Sequence, residues 1–166
     1  QGHLKAQHNL GEIHFLGLKV PNYKEGIKWY RTAAENGLAE AQHNLGCIYS
    51  DGKEISRNYV EAIKWFRLSA DQENPYAQYS LGVMHSEGRG VKKNQIKGFE
   101  LISLAAQQGL VEAQFAQGQC YFYGRGVPID YKKAYALFYR TARQGFPLAQ
   151  DLIKQYEKSR RSKTIN

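Results

Sequence analysis

The sequence predicts an all-α protein, a solenoid of stacked antiparallel helix pairs with about four 36-residue repeats and one further C-terminal helix. Three observations carry this. Ala-Gln recurs at Ala6, Ala41, Ala77, Ala113 and Ala149, spaced by 35, 36, 36 and 36 residues. Around each of the first four copies, glycines, bulky pairs and small pairs fall in register, and a fixed period of this length marks a repeat architecture. Within each copy the apolar residues recur at helical spacing in two short runs, each too short to be stable alone in water. Such helices must be stabilised by stacking on their neighbours.

The repeats are assigned to 4–38, 39–74, 75–110 and 111–146, all in one solenoid covering 1–166. The first helix of a unit is clearest in "AEAQHNLGCIYSDG", Ala39–Gly52, where Ala41, Leu45, Ile48 and Tyr49 share one face. A glycine inside this helix recurs as Gly11, Gly46, Gly82 and Gly118. Glycine there costs about 1 kcal/mol against alanine. Four occurrences predict that a Cβ would clash where the partner helix crosses, against residues of the Trp65 and Ala62 type.

A second glycine closes that helix at Gly17, Gly52, Gly88 and Gly124, where a left-handed residue is expected. Two of these open the matched stretches "GRGV" at Gly88–Val91 and Gly124–Val127, against "GLKV" at Gly17–Val20 and "GKEI" at Gly52–Ile55. A glycine loop can cradle an anion when a helix N-terminus follows at once. Here several residues intervene, so the loop reads as a turn. Its second glycine, Gly90 or Gly126, permits that turn, and Val20, Ile55, Val91 or Val127 tucks toward the core. Arg89 and Arg125 then stand one unit apart at one edge, facing an acidic partner or water. The first unit is one residue short, and the deletion falls between Gly17 and Tyr23.

The second helix follows "NY" or "DY", as in "NYVEAIKWFRLSADQ" at Asn58–Gln72. Ala62, Trp65, Phe66, Ser69 and Ala70 form its apolar stripe, with Lys64 and Arg67 off it. Trp29 and Trp65 are expected structural residues. Units close with Gly37, Gly109 and Gly145; in the second, Glu73 holds that place and Asn74-Pro75 supplies the break. After the fourth unit, "GFPLAQDLIKQYEKSRR" starts another first helix. Its polar Asp151, Lys154, Lys158 and Arg160 suit a capping helix over 147–160, with 161–166 a basic tail.

Composition bounds the rest. A hydrophobic content of 42% and an aromatic content of 13% with 12 Tyr fit a packed core and exclude a disordered chain. No apolar run reaches the ~18–20 residues of a membrane span. The net charge is +8, and residues 151–166 hold five Lys/Arg against two Asp/Glu. "KSRRSK" at Lys158–Lys163 is the one concentrated basic patch and reads as a solvated end. The chain begins Gln1-Gly2 and its only methionine is Met84, so a natural start upstream is expected, within a longer array.

The period, with "AQHNLGCIYSDG…NYVEAIKWFRLSAD" and "AQFAQGQCYFYGRGVPIDYKKAYALFYRTARQGFPLAQ", resembles the Sel-one-like repeat (SLR), a branch of the tetratricopeptide-type helical repeats. The pattern runs from about Leu4 to about Tyr156. It departs most at Gln95, Leu101 and Ile102 in the third unit and at Gln117 in the fourth. The resemblance implies a right-handed superhelix acting as a protein-binding adaptor, common in bacteria, with its first helices lining a concave groove. Some secreted relatives clamp each helix pair with a disulfide. Here Cys47 and Cys120 lie two units apart, roughly 20 Å in a stacked array and beyond the ~7 Å Cα limit for pairing. That favours the cytoplasm or delivery into a host cell, with the periplasm as the alternative.

On this reading the first-helix face carries His8, Asn9 and Glu12; His43, Asn44 and Cys47; Tyr79, Ser80 and Val83; and Phe115, Ala116 and Gln119. Tyr79 and Phe115 are expected anchors, with inter-repeat packing as the alternative. No catalytic site, metal or other cofactor is expected. His8 and His43, one unit apart, do not easily share a zinc with bonds of about 2.1 Å. Cys47 and His43 sit at i,i+4, but no third group orients them. The expected function is therefore a non-catalytic scaffold, monomeric or part of a longer array, that binds a peptide or protein segment. The alternatives are a hydrolase, as proposed for cysteine-rich relatives, and polyanion binding through the basic surface and tail; nucleic acid is not favoured, because no basic helix interleaved with aromatics tracks a backbone.

Overall fold

The computed structural model describes residues 2–17 and 22–164, without the side chains of 2 and 159–164. Among the described residues there are nine α-helices and no strand. They are α1 (Gly2–Glu12), α2 (Tyr23–Glu35), α3 (Ala39–Asp51), α4 (Tyr59–Ala70), α5 (Pro75–Glu87), α6 (Gln95–Gln107), α7 (Val111–Tyr123), α8 (Tyr131–Arg143) and α9 (Pro147–Thr164). Each helix packs on the one before it and the one after it, which makes the chain an α-solenoid.

The helix ends follow local chemistry. Gly52, Gly88 and Gly124 take φ of 67°, 77° and 68° at the C-caps of α3, α5 and α7. The first unit departs from this. Instead of stopping at a left-handed glycine, α1 runs on as a π-helix over Ile13–Gly17, next to the missing residue. The expected inward turn of Val20 lies outside the described residues. Even so, the same backbone bond closes all four pairs. The N–H groups of Asn22, Asn58, Asn94 and Asp130 donate to the carbonyls of His14, Tyr49, His85 and Tyr121 at 2.8, 2.9, 2.8 and 3.0 Å. These donors also cap the second helices through their side chains. Glu73 does more than make way for a break: it adopts the left-handed conformation itself, at φ 62°.

The helical glycines do admit a close crossing, and the Ala62-type position faces one, since a Cβ on Gly82 would lie 2.9 Å from the Gly98 carbonyl oxygen; the facing bulky residue differs from expectation. A Cβ on Gly46 would lie 2.6 Å from Phe66, and one on Gly11 would lie 2.7 Å from Tyr30. On Gly118 it would meet Phe138 at 2.7 Å. The position after the tryptophan faces the glycine, because adjacent helical residues point about 100° apart. Trp65 instead fills the core of the preceding pair with Ile27, Tyr30, Ala34, Leu45 and Ile48. Trp29, its counterpart in the first unit, is only half-buried.

The loops contribute to stacking as well. Gly90 lies on the start of α4, where a Cβ would come within 2.7 Å of Tyr59 Cβ and 2.9 Å of its carbonyl oxygen. Gly126 lies on the start of α6 in the same way, against the Gln95 carbonyl and the Ile96 N–H. So the second glycine of Gly-Arg-Gly-Val permits more than a turn. It allows the loop of one unit to rest on the second helix of the unit before. The last helix continues through residue 164, so 161–164 belong to it; the basic side chains expected beyond Lys158 lie outside the described ones.

Candidate partner-binding face

The first helices α1, α3, α5 and α7 form a row, since Asn44 Nδ2 lies 3.0 Å from His8 Nε2 one unit away. Their inward positions repeat and are closed: Ala41, Ala77 and Ala113 are fully buried. Their outward positions share His-Asn in units one and two and differ from there on. Asn9 and Glu12 are exposed, while His8, His43, Asn44, Cys47, Tyr79, Ser80, Val83 and Gln119 are half-buried.

Phe115 is the correction. It is only 7% exposed, with its ring centroid 5.3 Å from Phe138 and 5.1 Å from Phe146. It serves the fourth unit's contact with α9, not the open face; Ala116 beside it is buried as well. Tyr79 is divided, packing partly against Ala105, Ala106 and Ala113. One aromatic was missed. Tyr76 is 54% exposed and stands 5.9 Å from the His43 ring. Its spacing of three, four and seven residues to Tyr79, Ser80 and Val83 is the helical-face signal that would have found it.

Three clefts open along this row. One, of about 310 Å³, is lined by His8, Glu12, Glu40, His43, Asn44 and Tyr76. A second, of about 400 Å³, lies between the first two units, and a third, of about 610 Å³, between the third and fourth.

The Cys47–His43 pair gains no nucleophilic character from its setting. The sulfur is 3.4 Å from His43 Nε2. Burial, and secondarily the Asp51 carboxylate, push the Cys47 thiol up to about 12, while burial lowers the imidazole. Both are therefore neutral at pH 7. Burial, with Glu12 adding to it, likewise pushes the Tyr30 hydroxyl up to about 12. Burial displaces Cys120, Tyr79 and Tyr135 in the same direction. These shifts fix a sign. A group raised on folding stabilises the fold below its unfolded value and loses that contribution as pH rises through the folded value. The urea midpoint should hold to about pH 9 and then fall between the ordinary values of 9.0 and 10.0 and about 12. Cys47→Ala should remove part of the earliest fall, with Cys120 keeping the rest. A midpoint constant from pH 9 to 11 would contradict this.

Both cysteines are free thiols. Among the described residues no three His, Cys, Asp or Glu side chains group as metal ligands, and no helix is long and apolar enough to cross a membrane.

Stacked helix pairs at a period of about 36 residues define a helical-repeat protein. The family is specific: the Sel1 repeat model matches residues 4–38, 39–74, 75–110 and 111–146, so the chain belongs to the Sel1 repeat family. Proteins of this family generally serve as protein-interaction scaffolds. The chain is similar to a protective antigen of uropathogenic Escherichia coli with an SLR fold, at 34% identity and a TM-score of 0.80, over 89% of this chain and 32% of that one. It is also similar to a Sel1 repeat protein of Oxalobacter formigenes, at 31% identity and a TM-score of 0.83, over 90% and 44%. Cysteine-rich protein B of Helicobacter pylori shares the fold at 20% identity and a TM-score of 0.56, over 68% and 87%. The chain thus spans less than half the length of the first two. No curated protein matches the sequence.

Proposed function

We propose that the chain is a non-catalytic scaffold that binds an extended segment of a protein partner along the row of first helices. One observation supports it above others. Core positions recur from unit to unit, while the outward positions of the same helices diverge beyond the His-Asn of units one and two and, apart from Phe115 and Ala116, stay partly open around three clefts. Tyr76 and Tyr79 are the anchors, since tyrosine buries a large area with few torsions to freeze.

Photo-crosslinking in source cells tests this. A benzoylphenylalanine at Tyr76 or Val83 should give defined protein adducts, and one at Lys64 or Glu100 on the second helices should not. Tyr76→Ala with Tyr79→Ala should weaken partner capture at least about tenfold, as loss of one good anchor does, with helical circular dichroism retained. Equal labelling from both sets of positions would overturn the reading. Loss of helicity in the double variant would assign Tyr79 to the core.

A further inference from the structure

The second and third clefts occupy the same place in the repeat. Glu12, Tyr30, Cys47, Ile48 and Lys53 of one correspond in register to Val83, Ile102, Gln119, Cys120 and Arg125 of the other. Their chemistry is opposite. Glu12, Asp51 and Glu54 converge on the cleft between units one and two, where Lys53 is the one cation among the described lining residues. Among the described residues none of these three carboxylates has an ion-pair partner. Phe15, Tyr23 and Tyr30 wall the same space, with Phe15 centred 5.0 Å from Tyr23 and 5.9 Å from Tyr30. A cleft lined by both carboxylates and aromatic rings suits a cationic group, which a ring attracts through its quadrupole. This stands out on a chain of net charge +8.

The cleft between units three and four holds Lys93 and Arg125. Its one acid, Glu87, is already engaged by Arg89 at 2.6 Å. Arg125 lies over the Tyr123 ring at 4.8 Å, which holds its guanidinium in place without neutralising it. Two cations with no ion-pair partner among the described residues, beside a compensated acid, suit a carboxylate.

We propose that these clefts make the face bipolar: it selects an extended peptide that places a Lys or Arg between units one and two and an Asp or Glu between units three and four. This rests on the scaffold reading above. Helices pack about 8–10 Å apart, so clefts two units apart are separated by roughly 20 Å. An extended chain advances about 3.3 Å per residue, so the two charged residues fall about six positions apart. The clefts set this spacing and leave the chain direction open.

Selection from a phage-displayed library of random twelve-residue peptides on the whole chain tests it. The expected outcome is enrichment of a basic and an acidic residue five to seven positions apart, in one of the two orders. Glu12→Lys with Glu54→Lys should abolish the basic preference and keep the acidic one; Arg125→Glu should do the reverse. Each variant is checked for an unchanged melting temperature, and Glu12→Gln with Glu54→Gln serves if the reversal unfolds the chain. For a synthetic peptide of the enriched sequence, affinity should fall at least about tenfold in each reversal. Enriched peptides with no such pair, or a pattern unchanged by the reversals, would overturn the bipolar face while leaving the scaffold reading standing. No enrichment at all would overturn both.

Discussion

Gly126→Val is expected to lower the free energy of unfolding by about 3–5 kcal/mol. Two costs combine. Gly126 sits at φ 75°, where a residue with a Cβ is strained by about 1–3 kcal/mol. Its Cβ would also press on the backbone of Gln95 and Ile96 in the preceding unit. Backbone cannot swing aside as a side-chain tip can, so overpacking adds about 1–3 kcal/mol. Gly109 separates the two terms. It has φ 93° but nothing within 4 Å of a built Cβ. Gly109→Ala should therefore cost the strain alone, about 1–2 kcal/mol. Equal losses in the two variants, measured by urea denaturation, would show that the loop does not bear on its neighbour.

Phe138→Ala should cost about 3–5 kcal/mol, the range for truncating a buried aromatic. The ring is 2% exposed and sits where three elements meet. Gly118 of α7 makes room for it, Phe115 lies 5.3 Å away, and Tyr135 and Phe122 lie at 6.1 and 6.2 Å. Stability in a solenoid is close to a sum over units and their interfaces. The damage should therefore be local. Amides of α7 to α9 should lose hydrogen-exchange protection while those of α3 and α4 keep theirs. A uniform loss from α1 to α9 would mean that the chain unfolds as one block.

What could be read from the sequence follows from what repeats. Gly52, Gly88 and Gly124 do one backbone job in three places, so recurrence alone revealed it. The pairing of Gly46 with Phe66 was nearly legible. The glycine's need for space was evident, but which of Trp65 and Phe66 faced it depended on helix phase. The open face was less legible, because beyond the His-Asn shared by units one and two its positions do not recur. Phe115 shares the phase of Tyr79, yet Phe146 at the entry to α9 closes over it, and only the stacking of the last helix shows that. The opposed clefts were hidden for the same reason. Glu12 and Glu54 are 42 positions apart and meet only once two units are stacked.

The loops that rest on the preceding unit make the order of the repeats matter. Units three and four each need an open landing on their predecessor, at Tyr59 and at Gln95. Unit two carries Glu54 where they carry Gly90 and Gly126, and its side chain lines the acidic cleft instead. Copied into third place behind itself, unit two would drive the second copy's glutamate into the backbone of Tyr59. Moved to second place, unit three would remove a carboxylate from the cleft. The units look like copies but are not exchangeable parts, and shuffling or duplicating them in the laboratory would have to carry each loop together with the helix on which it lands.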